Sequence, residues 1–187
     1  MTRIIAGTAG GRRIAVPPRG TRPTSDRVRE ALFSALDVDP GLDGACVLDL
    51  CAGSGALGLE ALSRGATRAT FVESDRRTAT VLRRNVAALS ADLGLPAVEV
   101  HVAAAATVLA RPAPAVHDVM LVDPPYDVPD AEIARWLVDA AAHGWLAPDA
   151  VVVVERGARS GRFPWPEGFA PVRERRYGDT VLHVAHR

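Results

Sequence analysis

Residues 49–58 read Asp49-Leu50-Cys51-Ala52-Gly53-Ser54-Gly55-Ala56-Leu57-Gly58. An apolar run, Ala45–Leu50, leads into this segment, and a stretch with helical character, Ala56–Ser63, leads out of it, so the glycines fall where a strand becomes a helix. Gly53, Gly55 and Gly58 satisfy G-x-G-x-x-G, a weak pattern alone. Here it opens a helix, and Glu73 closes the next apolar run twenty residues after Gly53.

Working outward, short apolar runs alternate with amphipathic ones. Strands are expected at Ala69–Val72, Val98–Val102, Asp118–Val122 and Val151–Glu155, and helices at Arg76–Ser90, Ala104–Ala110 and Asp130–Ala142. Such alternation forces right-handed crossovers and a parallel sheet covered on both faces. The tail departs from it: Val172–Tyr177 and Thr180–Ala185 flank Gly178-Asp179, which is hairpin chemistry. The fold class is therefore α/β, a doubly wound, mostly parallel sheet ending in a C-terminal antiparallel hairpin.

Ahead of this core, Arg3–Ala6 and Arg13–Val16 predict a small β-hairpin and linker, which divides the chain into an arm, 1–23, and a main domain, 24–187. From Ser25, the positions Val28, Ala31, Leu32, Ala35 and Leu36 share one face of a helix capped by Thr24 or Ser25.

In doubly wound sheets the ligand lies beyond the carboxyl ends of the strands. Asp49 decides which adenosine cofactor fits. A dinucleotide would set its pyrophosphate across the glycine turn, where the carboxylate ahead of it repels phosphate. S-adenosyl-L-methionine carries an ammonium and a sulfonium instead, and Asp49 attracts them, while Glu73 suits the two ribose hydroxyls. The cofactor set expected around this turn is Asp49, Ala52, Gly53, Gly55, Glu73, Ser74 and Ala104.

Asp123-Pro124-Pro125-Tyr126 ends the fourth parallel strand. Two prolines remove two amide donors and hold Asp123 extended, so the segment presents acceptors. An amine fits it. The Asp123 carboxylate and the Pro124 carbonyl can accept the two hydrogens of a base's exocyclic amine and draw its lone pair out of the ring. Tyr126 offers a face for a flipped-out base, worth about 1–3 kcal/mol per stacked base. Asp123, Pro124, Pro125 and Tyr126 are thus the candidate catalytic residues.

Composition narrows the classes. All 22 basic residues are arginine, which removes a Schiff-base lysine and a P-loop lysine. The 22 acids balance them, but the first 30 residues hold seven arginines against two acids, so a basic arm sits on an acidic body. Arg3, Arg12, Arg13, Arg19 and Arg22 are the candidate contacts to a nucleic-acid backbone. Cys46 and Cys51 flank one strand, a poor geometry for a disulfide, and the five histidines are scattered, so no metal site is expected. No apolar stretch spans a bilayer, and the N-terminal segment lacks the apolar core of a secretory signal, so no membrane is expected and a cytoplasmic location is.

The tetrapeptide and glycine loop together resemble the Rossmann-like amino-methyltransferases. Arg3-Ile4-Ile5-Ala6-Gly7, Gly11-Arg12-Arg13 and Arg22-Pro23-Thr24-Ser25-Asp26-Arg27-Val28-Arg29-Glu30-Ala31-Leu32-Phe33 resemble the RsmD family of 16S ribosomal RNA guanine-N2 methyltransferases. The resemblance implies that Thr24 and Asp26 line the cofactor pocket, that Asp49, Gly53 and Glu73 hold cofactor, and that Asp123 to Tyr126 hold the target guanine. It also implies that the basic hairpin grips the RNA backbone. The partner expected is small-subunit ribosomal RNA, within an assembling ribosomal particle, and the protein is expected to be a monomer. One departure stands out: Ala103-Ala104-Ala105-Ala106 occupies a stretch where relatives often place a polar residue near the adenine amine. Rival readings are an adenine-N6 or guanine-N2 enzyme acting on DNA or another RNA, an NAD-dependent dehydrogenase, and a catalytically silent RNA-binding module. A cytosine-C5 enzyme needs a cysteine nucleophile, and Cys46 and Cys51 have the positions of core residues.

Overall fold

The structure, a computed structural model, describes residues 1–17, 25–93 and 97–187, and for 91–93 the backbone alone. Runs of buried β-branched and leucine side chains make the central strands: β3 (Cys46–Leu50), β4 (Arg68–Glu73), β6 (His117–Val122) and β7 (Leu146–Gly157), with the more exposed β5 (Ala97–Val102) at one edge. Such strands lack polar alternation because both faces are covered. The helices between them are α2 (Ala56–Ser63), α3 (Arg76–Leu93), α4 (Ala105–Leu109) and α5 (Asp130–Ala142), preceded by α1 (Asp26–Leu36). The seven-stranded sheet has the order β5-β4-β3-β6-β7-β9-β8, parallel through β7, with β8 (Ala170–Tyr177) and β9 (Thr180–His186) antiparallel and β9 inserted beside β7.

The chain runs outward from β3 through β4 to β5, then returns to place β6 on the other side of β3. The direction of winding therefore reverses at β3, which opens a crevice at its carboxyl end. One core, with Leu32, Phe33, Leu62, Phe71 and Leu82, fills the face under α1 to α3. A second core, with Met120, Ile133, Leu137, Trp145 and Val152, fills the face under α4 and α5.

Differences from expectation lie at element ends and at the N-terminus. Ser25 is the cap of α1, its hydroxyl accepting the Val28 N–H at 3.3 Å; Thr24, the other expected cap, lies outside the described residues. Strand β7 begins five residues before the expected Val151 because Leu146 and Ala147 are themselves buried. The N-terminal hairpin is shorter than expected, pairing only β1 (Thr2–Arg3) with β2 (Arg13–Ile14). Ile4, Ala9 and Ile14 are buried in the first core, so this segment is packed onto the body. Buried Glu60 on α2 accepts the Ile5 and Ala6 amides at 2.6 and 3.0 Å, and the Ser63 hydroxyl accepts that of Ala9 at 2.9 Å. Among the described residues no helix is long and apolar enough to cross a membrane.

Candidate active site

Strands β3, β4 and β6 lie side by side and end together, so Asp49, Glu73 and Asp123 converge at the crevice. The turn after β3 is left-handed at Cys51 (φ 59°), Gly53 (φ 57°) and Gly55 (φ 82°). A Cβ on Gly55 would come within 2.4 Å of Leu82 Cδ1, and one on Gly58 within 2.3 Å of the Phe71 ring. Those glycines let α2 seat against its neighbours. Over Gly53 the nearest atom to such a Cβ is the Cys51 carbonyl at 3.9 Å, so the turn leaves room there for a ligand.

Gly58 is in the first turn of α2, where helix amides have no intrahelical acceptor. Asp49 Oδ2 accepts its N–H at 2.8 Å. The other oxygen, Oδ1, is buried with no hydrogen-bond partner among the described residues. Burial, reinforced by the charges of Asp123 and Glu73 and opposed by the Gly58 amide, pushes Asp49 up to about 8. The site is a buried acidic pocket, and a cationic group would satisfy the unpartnered Asp49 Oδ1. Glu73 Oε2 accepts the Gly53 N–H at 2.9 Å and Oε1 the Asp75 N–H at 2.8 Å, leaving each oxygen one further lone-pair direction for a hydroxyl. Among the described residues no group of three or more His, Cys, Asp or Glu is placed to hold a metal ion.

The remaining expected cofactor residues are arranged around this turn and beyond it. Ala52 donates to the Val72 carbonyl at 3.0 Å, which ties the loop to β4. Ser74 is exposed just past Glu73. Ala104 caps α4, its carbonyl accepting from Thr107 and Val108 at 3.0 and 3.2 Å, so that carbonyl already serves the helix. Asp26 is differently engaged: Arg29 Nη2 binds one of its oxygens at 2.7 Å and Arg3 Nε the other at 3.1 Å. Although burial opposes it, these two arginines hold the Asp26 carboxyl below its ordinary range.

Asp123 leaves β6 beside Leu50, and Pro124 is buried while Pro125 and Tyr126 are exposed. The Pro125 carbonyl accepts the Val128 N–H at 3.1 Å and closes a turn. Two residues of β7 that the sequence does not single out support this loop. Arg156, 4% exposed, donates from Nη2 to the Val128 carbonyl at 2.8 Å and sets Nε 2.8 Å from Asp130 Oδ1 at the start of α5. Gly157 leaves space beside the Tyr126 ring, which would lie 3.7 Å from a Cβ there. Tyr126 is 57% exposed, a ring displayed at the mouth of the crevice.

Both cysteines are free thiols, and burial with the surrounding carboxylates pushes Cys51 up to about 12, so it stays an uncharged thiol. A cysteine nucleophile has no support here. Of the candidate RNA contacts, Arg12 and Arg13 are exposed on the hairpin, and Arg3 is ion-paired to Asp26 with its side chain 62% exposed. Arg19 and Arg22, like Thr24, lie outside the described residues. Arg29, counted with the basic segment by sequence, is fully buried among Asp26, Thr2 and Glu60.

The family described as Conserved hypothetical protein 95 matches residues 2–186. The chain is 39% identical over 186 residues to ribosomal RNA small subunit methyltransferase D of Escherichia coli, covering 99% of this chain and 89% of that one. This chain belongs to the RsmD family. The same-named protein of Haemophilus influenzae is 40% identical over 155 residues, covering 82% of this chain and 77% of the relative. A solved methyltransferase-fold structure from Escherichia coli superposes with a TM-score of 0.84 at 35% identity, covering 99% and 97% of the two chains. The sheet order and closing hairpin of this RsmD-family chain are those of class I methyltransferases.

Proposed function

We propose that this protein transfers a methyl group from S-adenosyl-L-methionine to the exocyclic N2 amine of a guanine in 16S ribosomal RNA. The observation that carries the reading is the buried Asp49, its Oδ1 unpartnered among the described residues, set beside Asp123-Pro124-Pro125-Tyr126 at the ends of adjacent strands. The names of its relatives support ribosomal RNA of the small subunit as substrate.

The cofactor supplies an electrophilic methyl group on a sulfonium. Asp49 and Glu73 would hold it, the first through the ammonium and the second through the ribose hydroxyls, with the open turn at Gly53 between them. Asp123 and the Pro124 carbonyl accept the two amine hydrogens of the base, which directs the nitrogen lone pair at the methyl group. Tyr126 stacks on the extruded base and fixes its plane. Alignment of this kind supplies about 7–11 kcal/mol of the barrier. After transfer, Asp123 takes the surplus proton from the alkylated nitrogen or passes it to water.

The test is radiolabelled S-adenosylmethionine with purified small subunits from cells lacking this enzyme, followed by nucleoside analysis. Label in N2-methylguanosine is the expected result. Label in N6-methyladenosine, or in DNA offered in competition, would move the reaction to another amine or polymer.

A further inference from the structure

The segment 158–169 leaves β7 and crosses the α5 face of the sheet over β9 and β8. Phe163 and Phe169 are buried beneath it in the second core, and Trp165 is half-buried, stacked on Phe169 at 6.2 Å and 24° and edge-on to Phe163 at 4.9 Å. Between this aromatic segment and the edge strand β8 is a cleft of about 450 Å³, within the range of small-ligand sites, whose lining includes Phe163, Trp165, Phe169 and His183, with Arg162 and Glu174 as charged members. Neither the cofactor site nor the amine site uses it.

Its chemistry is that of a nucleotide subsite. Flat aromatic surface takes a base of any identity, and the exposed Arg162 of the segment, which lines the cleft, suits a phosphate. His183 adds an independent sign. It is 2% exposed, and Glu174 Oε2 lies 3.4 Å from its Nδ1, so the carboxylate keeps the proton on that nitrogen. Nε2 is then an acceptor, buried with no partner among the described residues, that a donor on a base or ribose would satisfy.

Position supports the same occupant. Tyr177 at the end of β8 pairs with Thr180, which pairs with Gly157 beside Tyr126. From there the cleft lies about 10 Å down β8 and two strand spacings, about 10 Å, across the sheet. A single strand leaving the amine site along this face of β8 also passes the exposed Arg176, whose partner Val181 is two residues from His183. We propose that this cleft binds a nucleotide of the RNA substrate, a few residues from the methylated base. The proposal rests on the RNA methyltransferase reading above.

The test uses the full chain and fluorescently labelled oligouridylate, with binding read by anisotropy. Trp136 and Trp145 are buried, so quenching of intrinsic fluorescence by the unlabelled RNA reports on Trp165. Trp165→Ala is expected to abolish the quenching and weaken binding roughly 5- to 100-fold. Arg162→Glu, on an exposed position of the segment, is expected to weaken binding and lower its salt dependence, with the melting temperature and cofactor affinity of wild type. If Trp165→Ala melts early, Arg162→Glu decides alone. Wild-type binding and salt dependence in Arg162→Glu would overturn the cleft assignment while leaving the methyltransferase reading intact; no binding of RNA by the wild-type protein would overturn both.

Discussion

Replacing Asp49 with asparagine tests the cofactor site through protons. In the free protein burial holds Asp49 at about 8, so near pH 6.5 its carboxyl is almost wholly protonated. A cationic ammonium placed against it favours the carboxylate, and the proton must leave as the cofactor enters. One proton released per cofactor bound makes affinity rise by up to about tenfold per pH unit, flattening above pH 8. Calorimetry at pH 6.5 in buffers of different ionisation enthalpy counts that proton directly. The wild-type protein should release close to one, and Asp49→Asn close to none, with weaker binding. Because the cofactor's own α-ammonium titrates near pH 8, the difference between the two proteins is the quantity to read. Equal proton release would refute the assignment of Asp49 to the cofactor's charge.

The same residue makes a stability prediction of opposite sign. A carboxyl whose folded pKa is raised stabilises the fold fully below its unfolded value, near 4, and loses that contribution as pH rises through about 8. The displacement corresponds to a penalty on the order of 5 kcal/mol once Asp49 is ionised and unpaired. Without cofactor, Asp49→Asn should therefore melt roughly 10–20 °C above wild type at pH 8.5 and within a few degrees of it at pH 5. With saturating cofactor at pH 8.5 the gap should narrow, since only the carboxylate gains a charged partner.

Asp123→Ala should abolish transfer while leaving cofactor affinity within a few-fold; a mutant retaining activity would sink the amine-acceptor mechanism. Arg156→Met should lower kcat by roughly tenfold or more through a displaced loop while the KM for cofactor stays put, and a rise in that KM with unchanged kcat would place Arg156 in cofactor binding instead. Reversing Arg13 to glutamate should weaken RNA binding and flatten its salt dependence without altering the melting temperature, its side chain being exposed on the hairpin. Undiminished RNA affinity in that variant would remove the hairpin from the RNA interface.

The parts legible in the sequence are those whose physics is local. Ala56–Ser63 and Asp130–Ala142 are helices over the expected residues because their periodicity and preceding turns leave no competing structure. The parallel sheet covered on both faces followed from the alternation of strands and helices, and the converging carboxylates from the rule that ligands sit at strand ends where winding reverses. What escaped depends on partners far along the chain. Arg29 looked like one more arginine of a basic arm, yet Asp26, Thr2 and Glu60 surround it, and nothing near it in sequence announces Glu60. His117 looked like a scattered histidine and is a satisfied core residue between Thr70 and the Trp145 carbonyl. Arg156 is hidden in a valine strand, and its role appears only when β7 is laid beside the loop after β6.

Glu60 gives these long-range contacts a further consequence. It lies within the helix that the glycine turn opens, and it holds the Ile5 and Ala6 amides and the Arg64 guanidinium while fully buried. Hairpin and cofactor turn are therefore attached to the same eight-residue helix. Deleting the hairpin would uncover Glu60 and the apolar seats of Ile4, Ala9 and Ile14, so the loss would register as instability before it registered as lost RNA affinity. The contribution of the arginines to RNA binding has to be measured by changing their charge with the hairpin left in place.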